Sequence, residues 1–307
     1  MARADSKFVR ETAVVADRAR PGRYHAFLSP DWNAPMLPQG GIVTVVATRA
    51  MEARLAHPEQ QLRSVSVVFA GQVRAGSVQI DVGVIRRGRS ISQLTATVRN
   101  PGEAAGTTAI AVFGASRPGF EFTDRSMPDA PPPEECRSFR TAADPAEDPD
   151  NLDLRFHFPY WDFVDGRSVE GHAPWEEHEP TSSERSSWYR FDEAPRLADG
   201  HLDPHGLVTL CDTMPGAVGE RVGERGDRPV WLSPSADLHV QILGEWRSEW
   251  LLAHNSARRA GDGYAALEME LWDPESGLVA YGTQLMFFSF PDGPPTPDQL
   301  HVPNAHG

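Results

Sequence analysis

The chain has little lysine, little cysteine and no long apolar run. Its 29 basic residues include one lysine, Lys7, and its two cysteines are Cys136 and Cys211. So few cysteines argue against a disulfide framework and favour a reducing compartment, so we expect a cytoplasmic protein. No stretch of about 20 apolar residues occurs, so no membrane-spanning helix is expected. No apolar segment follows the first residues, as a secretion signal would require.

Positive charge is also scarce. The formal net charge is −14 at pH 7, which argues against nucleic acid or an anionic membrane as a partner. The sequence contains neither a Gly-rich phosphate loop nor a Ser or Cys nucleophile motif. We therefore expect no cofactor.

A short repeat is the most informative feature that is present. Residues 41–48 read Gly-Ile-Val-Thr-Val-Val-Ala-Thr, and residues 206–213 read Gly-Leu-Val-Thr-Leu-Cys-Asp-Thr. Each position is identical or exchanges one apolar residue for another, except that Asp212 stands in place of Ala47. A repeat indicates a duplicated unit. The one exchange places a carboxylate in an otherwise apolar stretch and points to a functional site in the second copy.

Further landmarks follow both copies in the same order, which makes chance a poor explanation. They are glycine turns at 71 and 244, arginine pairs at 86–87 and 258–259, Pro-containing turns at 100–103 and 273–276, and final strands at 107–113 and 281–288. The chain of 307 residues is long enough for two domains of ordinary size.

Hydrophobic patterning predicts the same elements in each half. Residues 41–54 and 204–221 are predicted to be largely buried helices, the second kinked or ended by Pro215. β-Branched, alternating residues predict strands in the first half at 65–69, 78–85, 91–98 and 109–113. Symmetry with the second half predicts a further strand at 24–28, before the first helix. We predict an α+β fold made of two units, each a central helix wrapped by an antiparallel sheet.

Composition divides the chain into four parts. We predict an N-terminal unit at 20–115, a Pro-rich and acidic linker at 116–150, a C-terminal unit at 151–290 and an exposed tail at 291–307. Within the second unit, residues 170–187 are polar and are predicted to form a loop, and residues 188–191 resume a strand.

The two halves of the chain resemble the acyl-CoA thioesterase II family, which comprises TesB-like proteins with two hotdog domains in one chain. Gly40 and Gly41 open the first central helix, and residues 84–92 are similar to the hairpin of the family. Asp212 matches the catalytic aspartate of the family and Gln284 its catalytic glutamine. The family has a threonine as its third catalytic residue. Ser235 is the best match here, with Ser233 as the alternative.

The resemblance implies a tandem hotdog fold and hydrolysis of thioesters, with acyl-CoA or an acyl carrier protein as the partner. Aspartate would accept a proton from water, while the amide and hydroxyl would orient that water. Gly40, Gly41, His205 and Gly206, near the two helix starts, are the expected substrate-binding residues. We hypothesise that the second half supplies the polar catalytic residues and that the first half is scaffold.

Two alternatives to hydrolysis remain open from the sequence. A double hotdog chain could bind acyl thioesters without cleaving them, or could be a lyase or tailoring enzyme that uses the same pocket. Because an exposed face or edge of a sheet needs to be covered, we also expect a homodimer or a higher homo-oligomer.

Two other groups of residues could suggest sites. His172 and His178 flank Glu176 and Glu177, but they lie in a loop that contains Pro174, so a solvated loop is favoured and no metal is expected. The arginine-rich turns at 86–89 and 258–259 could meet CoA phosphates, although solvated turns are the favoured interpretation.

Overall fold

The computed structural model describes residues 6–141, 158–174, 176–224 and 228–302. Within these ranges the α-helices are α1 (Lys7–Glu11), α2 (Gly40–Leu55), α3 (His205–Cys211) and α4 (Gly216–Val222). None of the described helices is long and apolar enough to cross a membrane.

The strands of the described residues form one antiparallel sheet. In the first half they are β1 (Val15–Ala16), β2 (Arg23–Leu28), β3 (Gln61–Phe69), β4 (Gly76–Arg86), β5 (Ile91–Arg99) and β6 (Thr107–Gly114). In the second half they are β7 (Arg137–Ser138), β8 (Val164–Ser168), β9 (Glu184–Phe191), β10 (Ser235–Ile242), β11 (Leu251–Gly261), β12 (Tyr264–Asp273) and β13 (Gly277–Phe287).

The order of the strands mirrors itself about the middle of the sheet. Outward from the centre, the first half runs β3, β6, β5, β4, β2, and the second half runs β10, β13, β12, β11, β9. The five strands of the first half that the sequence predicted are all present. The mirrored order is that of a duplicated unit, and it confirms the predicted α+β tandem hotdog.

The two halves are joined by backbone pairing between β3 and β10. Val240 lies opposite Val65, and Leu238 lies opposite Val67. All four side chains are buried on the face of the sheet that carries the helices. The sheet is therefore continuous across the junction, and the core is shared between the halves.

Helix α2 is buried along most of its length. Residues 41–48 are all buried, and the helix contacts β3 to β6 and also α3. An apolar residue at nearly every position suits a helix that has almost no solvent-facing side. The predicted first helix is confirmed.

The second predicted helix is interrupted. It ends at Cys211, and α4 begins only after Pro215. Proline lacks the N–H that would bond to the carbonyl of Cys211, four residues earlier, so the helix cannot continue. The prediction that Pro215 kinks or ends the helix is confirmed. The expectation that Asp212 lies on the helix is wrong by one residue, because Asp212 is its C-cap.

Part of the predicted loop at 170–187 is also wrong, because β9 begins at Glu184. Its backbone pairs with both β8 and β11, and Arg185 and Ser187 alternate as buried residues. Pairing on two sides supplied hydrogen bonds that the polar sequence does not reveal.

The predicted linker at 116–150 is described up to residue 141. Within it, Arg137 and Ser138 form β7 at the edge of the sheet. The remainder of that range lies outside the described residues, so the four boundaries drawn from composition stay predictions.

Candidate active site

A cluster of polar side chains surrounds Asp212 at the break between α3 and α4. The Asp212 N–H bonds to the Thr209 carbonyl at 3.2 Å, which tightens the last turn of α3. The turn lifts the carboxylate out of the helix axis and toward the start of α2. The break that Pro215 enforces thus positions the one residue that distinguishes the two repeats.

Both carboxylate oxygens of Asp212 accept hydrogen bonds. Oδ2 accepts from the backbone N–H of Gly41 at 2.8 Å, and Oδ1 accepts from Gln284 Nε2 at 2.6 Å. The hydroxyl of Ser235 donates to Oδ1 at 3.3 Å and accepts from Gln284 Nε2 at 2.6 Å. An ionised carboxylate only accepts, so the amide nitrogen of Gln284 must face it.

Neighbouring strands bring Ser235 and Gln284 together. Strand β10 pairs with β13, and Leu238 lies opposite Gln284. A β-bulge between Ser235 and Asp237 shifts the register at the start of β10. Bulges re-aim side chains, and here Ser235 turns toward Asp212. The structure therefore brings together Asp212, Gln284 and Ser235 as expected, and Ser235 holds the position for which Ser233 was the alternative.

The first half contributes more than scaffold. Its Gly41 N–H bonds directly to Asp212, and a Cβ on Gly41 would lie 2.6 Å from the Thr209 Cα. A Cβ on Gly40 would lie 2.7 Å from the ring of Phe69 and 3.0 Å from Asp212 Oδ2. Only glycine permits this close approach of α2 to α3. The scaffold hypothesis is wrong on this point, because the start of α2 forms part of the cluster.

Gln39 is a member of the cluster that the sequence did not single out. It is buried, and its Nε2 donates to the carbonyls of Thr209 at 2.8 Å and of Asp212 at 3.3 Å. Its Oε1 accepts from the Thr209 hydroxyl. The available signal was its position directly before the Gly40–Gly41 pair. Gln39 ties the N-terminus of α2 to the end of α3 and so fixes the backbone that carries Asp212.

Burial dominates the electrostatics of Asp212. Desolvation raises the pKa of its carboxyl from an ordinary 3.8 to about 6, against the opposing effect of hydrogen bonds from Gly41, Ser235 and Gln284. The residue keeps a partial exposure, so solvent can reach it, but dense protein replaces most of its hydration. A carboxylate with a pKa of about 6 is ionised at neutral pH and is a stronger base than an ordinary aspartate.

His205 and Gly206 lie at the other end of α3 and outside this cluster. His205 is buried, and its Nδ1 lies 2.9 Å from Asp203 Oδ1. Although burial alone would raise the pKa of Asp203, the adjacent His205 and Arg49 hold it well below its usual range. A Cβ on Gly206 would lie 2.6 Å from the Trp246 ring, so packing explains this glycine. Their substrate contacts stay predictions.

The four residues considered for a metal do not all lie together. Glu176 pairs with Arg137, and Glu177 is exposed. The rings of His172 and His178 stack with centroids 4.1 Å apart, close to Glu220 of α4.

In the second of the two arginine-rich turns, at 258–259, Arg258 forms an ion pair with Glu268.

Comparison with known proteins finds two successive family matches. The model described as the acyl-CoA thioesterase N-terminal domain matches residues 28–114, and the model described as the acyl-CoA thioesterase C-terminal domain matches residues 133–288. No curated protein matches the chain at the level of sequence.

Solved structures share the fold over almost the whole chain. A conserved hot dog protein of unknown function from Alicyclobacillus acidocaldarius is 26% identical, with a TM-score of 0.74 over 93% of this chain and 99% of its own. A putative thioesterase II from Thermobifida fusca YX is 21% identical, with a TM-score of 0.74 over 94% and 100%. An acyl-CoA thioesterase II, TesB2, from Mycobacterium marinum is 20% identical, with a TM-score of 0.70 over 94% and 100%.

Proposed function

The chain belongs to the acyl-CoA thioesterase family, and from that premise we propose that Asp212, Gln284 and Ser235 activate the water that hydrolyses an acyl-CoA thioester. The observation that carries the proposal is the desolvated carboxylate of Asp212, which a carboxamide and a hydroxyl hold at the N-terminus of a buried helix. A general base of this kind typically raises the rate of a reaction by a factor of roughly 10²–10⁴.

Asp212 accepts a proton as the water oxygen attacks the thioester carbonyl carbon. Gln284 Oε1 is buried and accepts no hydrogen bond from the described residues, so it is placed to receive one from the attacking water. The tetrahedral intermediate collapses when the carbon–sulfur bond breaks. The proton held by Asp212 passes to the departing thiolate, and the products are a carboxylic acid and free CoA thiol.

The N-terminus of α2 is the proposed stabiliser of the developing oxyanion. The 16 peptide dipoles of α2 give this end a partial positive charge, and it lies beside the Asp212 carboxylate. A thioester carbonyl oxygen directed at this end gains favourable electrostatic interaction as its negative charge grows. Substrate binding at Gly40 and Gly41 is part of this proposal.

Substitution of Asp212 tests the mechanism. Asp212→Asn keeps the shape of the side chain but removes the base, so we expect kcat for acyl-CoA hydrolysis to fall roughly 10²–10⁴-fold in a thiol-release assay. Asp292→Asn is the matched control, because Asp292 is exposed and lies after the last strand of the sheet. A full rate in the Asp212 variant, with the control unchanged, would overturn the assignment.

Acyl-CoA rather than acyl carrier protein is the proposed carrier, in keeping with the family. A panel of short, medium and long acyl-CoAs, with one acyl group also presented on a carrier protein, measures this choice. We expect the higher kcat/KM for the CoA ester of the matched pair, and a higher value for the carrier protein would reverse the choice.

A homodimer remains part of the proposal. Val68 on β3 is 55% exposed and Ile110 on β6 is 49% exposed, although both are apolar residues near the middle of the sheet. Apolar side chains on a sheet face favour a partner surface. Light scattering should give about twice the mass of one chain, and the mass of a single chain would refute the dimer.

A further inference from the structure

Two histidines and a glutamate converge in the second half, away from Asp212. His172 and His178 lie on the segment between β8 and β9, and Glu220 lies on α4, which packs against β9 and β11. One ligand atom of each residue lies within 4.8 Å of the others. Glu220 is 42 positions from the nearer histidine, so the chain folds to assemble the group.

The hydrogen bonds of both rings fix their tautomers. His172 Nδ1 lies 3.1 Å from the Ala173 carbonyl, and His178 Nδ1 lies 2.9 Å from the Glu176 carbonyl. A carbonyl only accepts, so each Nδ1 carries a hydrogen and a neutral ring presents its Nε2 lone pair. A bond from the second ring nitrogen to a carbonyl is the usual support of a metal-binding histidine.

With neutral rings, the three remaining atoms are all acceptors. His178 Nε2 is buried and has no hydrogen-bond partner among the described residues. His172 Nε2 lies 3.3 Å from Glu220 Oε2. When both rings are neutral, two lone pairs and a carboxylate oxygen repel one another, and a proton or a metal cation between them relieves this repulsion. The edge of a tetrahedral zinc site with bonds of about 2.0–2.1 Å is roughly 3.3 Å, so one edge already has the required length.

The surrounding contacts hold the group in place. The backbone of His178 pairs with Glu224 in both directions, at 2.9 and 3.1 Å. Arg185 Nη1 donates to Glu220 Oε1 at 2.7 Å. Glu220 Oε2 faces His172 and also accepts from the Thr181 hydroxyl at 3.3 Å. Both Glu220 and Arg185 are buried. These contacts fix the backbone and Glu220, whereas the stacked rings of His172 and His178 must rotate before both Nε2 lone pairs point at one ion.

We propose that His172, His178 and Glu220 bind a divalent transition-metal ion of the zinc class, at a site separate from thioester hydrolysis. Two imidazole nitrogens and one carboxylate are a donor set that suits Zn²⁺ and leaves a fourth position open. The group borders a surface cleft of about 510 Å³ that Glu170, Glu179 and Glu184 also line. These carboxylates add negative potential that attracts a cation. A bound ion would cross-link the segment before β9 to α4.

Metal binding to the full chain tests the site. After treatment with a chelator, the protein should take up one equivalent of Zn²⁺ in calorimetric titration, and elemental analysis after gel filtration should find the same ratio. At a free concentration of 100 times Kd, the melting temperature should rise by about 4 °C. Co²⁺ in its place should give the visible absorption of a tetrahedral site.

Ligand variants decide between this site and general surface binding. Loss of a group that hydrogen-bonds to a metal ligand weakens metal binding roughly 10–100-fold. His178→Ala and His172→Ala each remove a ligand itself, so each should weaken Zn²⁺ binding by more than this factor. His201→Ala is the matched control, because His201 is exposed and lies elsewhere. Circular dichroism without metal confirms that each variant is folded. No stoichiometric uptake, or equal affinity in all four proteins (an adventitious ion only), would overturn the proposal.

Discussion

At the scale of the residue, Asp212 is the product of opposing effects. Burial raises the pKa of its carboxyl, while hydrogen-bond donors, among them Gly41, Ser235 and Gln284, limit the rise to about 6. Deeper burial without donors would leave the group protonated at neutral pH, and full exposure would leave it a weak base. The surrounding donors therefore set the pH at which the proposed base begins to work.

The pH dependence of hydrolysis follows from this pKa. Only the ionised carboxylate accepts a proton, so kcat/KM should fall as pH decreases through about 6, by about tenfold per unit below it. Gln284→Met removes a donor that favours the ionised form, so the acid limb should move to higher pH. A pH profile of both proteins measures this, and an unshifted limb would contradict the role of Gln284.

The raised pKa of Asp212 also makes the stability of the fold depend on pH, in the direction opposite to that of activity. The folded form binds the proton more tightly than the unfolded chain, whose pKa is near 3.8, so stability should decrease as pH rises from about 4 to about 6. Above this window the buried charge is destabilising. At pH 8, Asp212→Asn should therefore melt no lower than the parent protein in a thermal scan, even though its kcat should fall. A clear drop in melting temperature would contradict this balance.

Ser235 should make a smaller contribution than Asp212. Its hydroxyl bonds to both Asp212 and Gln284, and loss of an ordinary hydrogen bond costs about 1 kcal/mol, or roughly fivefold in rate. Ser235→Ala should lower kcat by about this factor, and Ser235→Thr should keep most of the activity because the hydroxyl remains. Ser233→Ala is the control in the same assay. If Ser233→Ala lowered kcat and Ser235→Ala did not, the assignment would be reversed.

At the scale of the element, the site depends on how closely α2 meets α3. Gly41 lies against the Thr209 backbone, and no larger residue fits without moving one helix. The Gly41 N–H bond to Asp212 is made at this same contact. The spacing of the two helices and the geometry of the proposed base are thus one structural feature.

Gly41→Ala should disturb both stability and activity. Overpacking typically costs 1–3 kcal/mol, so we expect the melting temperature to fall by a few degrees and kcat to fall as the Gly41 N–H moves from Asp212. Gly219→Ala is the matched control within α4, where an added Cβ would meet no atom within 4 Å. That change should stabilise the protein by about 0.5–1 kcal/mol. Thermal scans and rates of both variants would reveal the contrast.

The sequence predicted these elements well wherever the signal was local. The burial of α2 and the alternation of the first-half strands follow from the pattern of residues, and Pro215 predicted the break between α3 and α4. Long-range features escaped prediction. Glu220, which lies near both His172 and His178, is on a helix distant in sequence, whereas the neighbouring Glu176 pairs with Arg137. The bulge that aims Ser235 likewise depends on pairing between β10 and β13.

At the scale of the whole molecule, the halves share one sheet and one core. The pairing of β3 with β10 buries Val65 and Val240 beneath the helices, and Gln39 of the first half bonds to the backbone that carries Asp212. Separation of the halves would expose both a strand edge and apolar side chains.

Unfolding should therefore be a single cooperative event. Scanning calorimetry should show one transition whose calorimetric enthalpy is close to its van't Hoff enthalpy. Val240→Ala, at the junction, should lower the temperature of the whole transition. Two resolved peaks, with only one of them shifted by this change, would show that the halves are independent.

The mirrored halves do not have equivalent sites. At the counterpart of Asp212, α2 has the buried Ala47, and the rings of Trp246 and Phe191 pack against Gly206, the counterpart of Gly41. On the proposed mechanism, each polypeptide holds a single reactive centre for two hotdog units. The stoichiometry of turnover is then one thioester at a time per chain. Duplication has thus left the first unit without a carboxylate of its own, so packing alone constrains its Ala47, while the start of its helix α2 still holds Asp212 of the second unit.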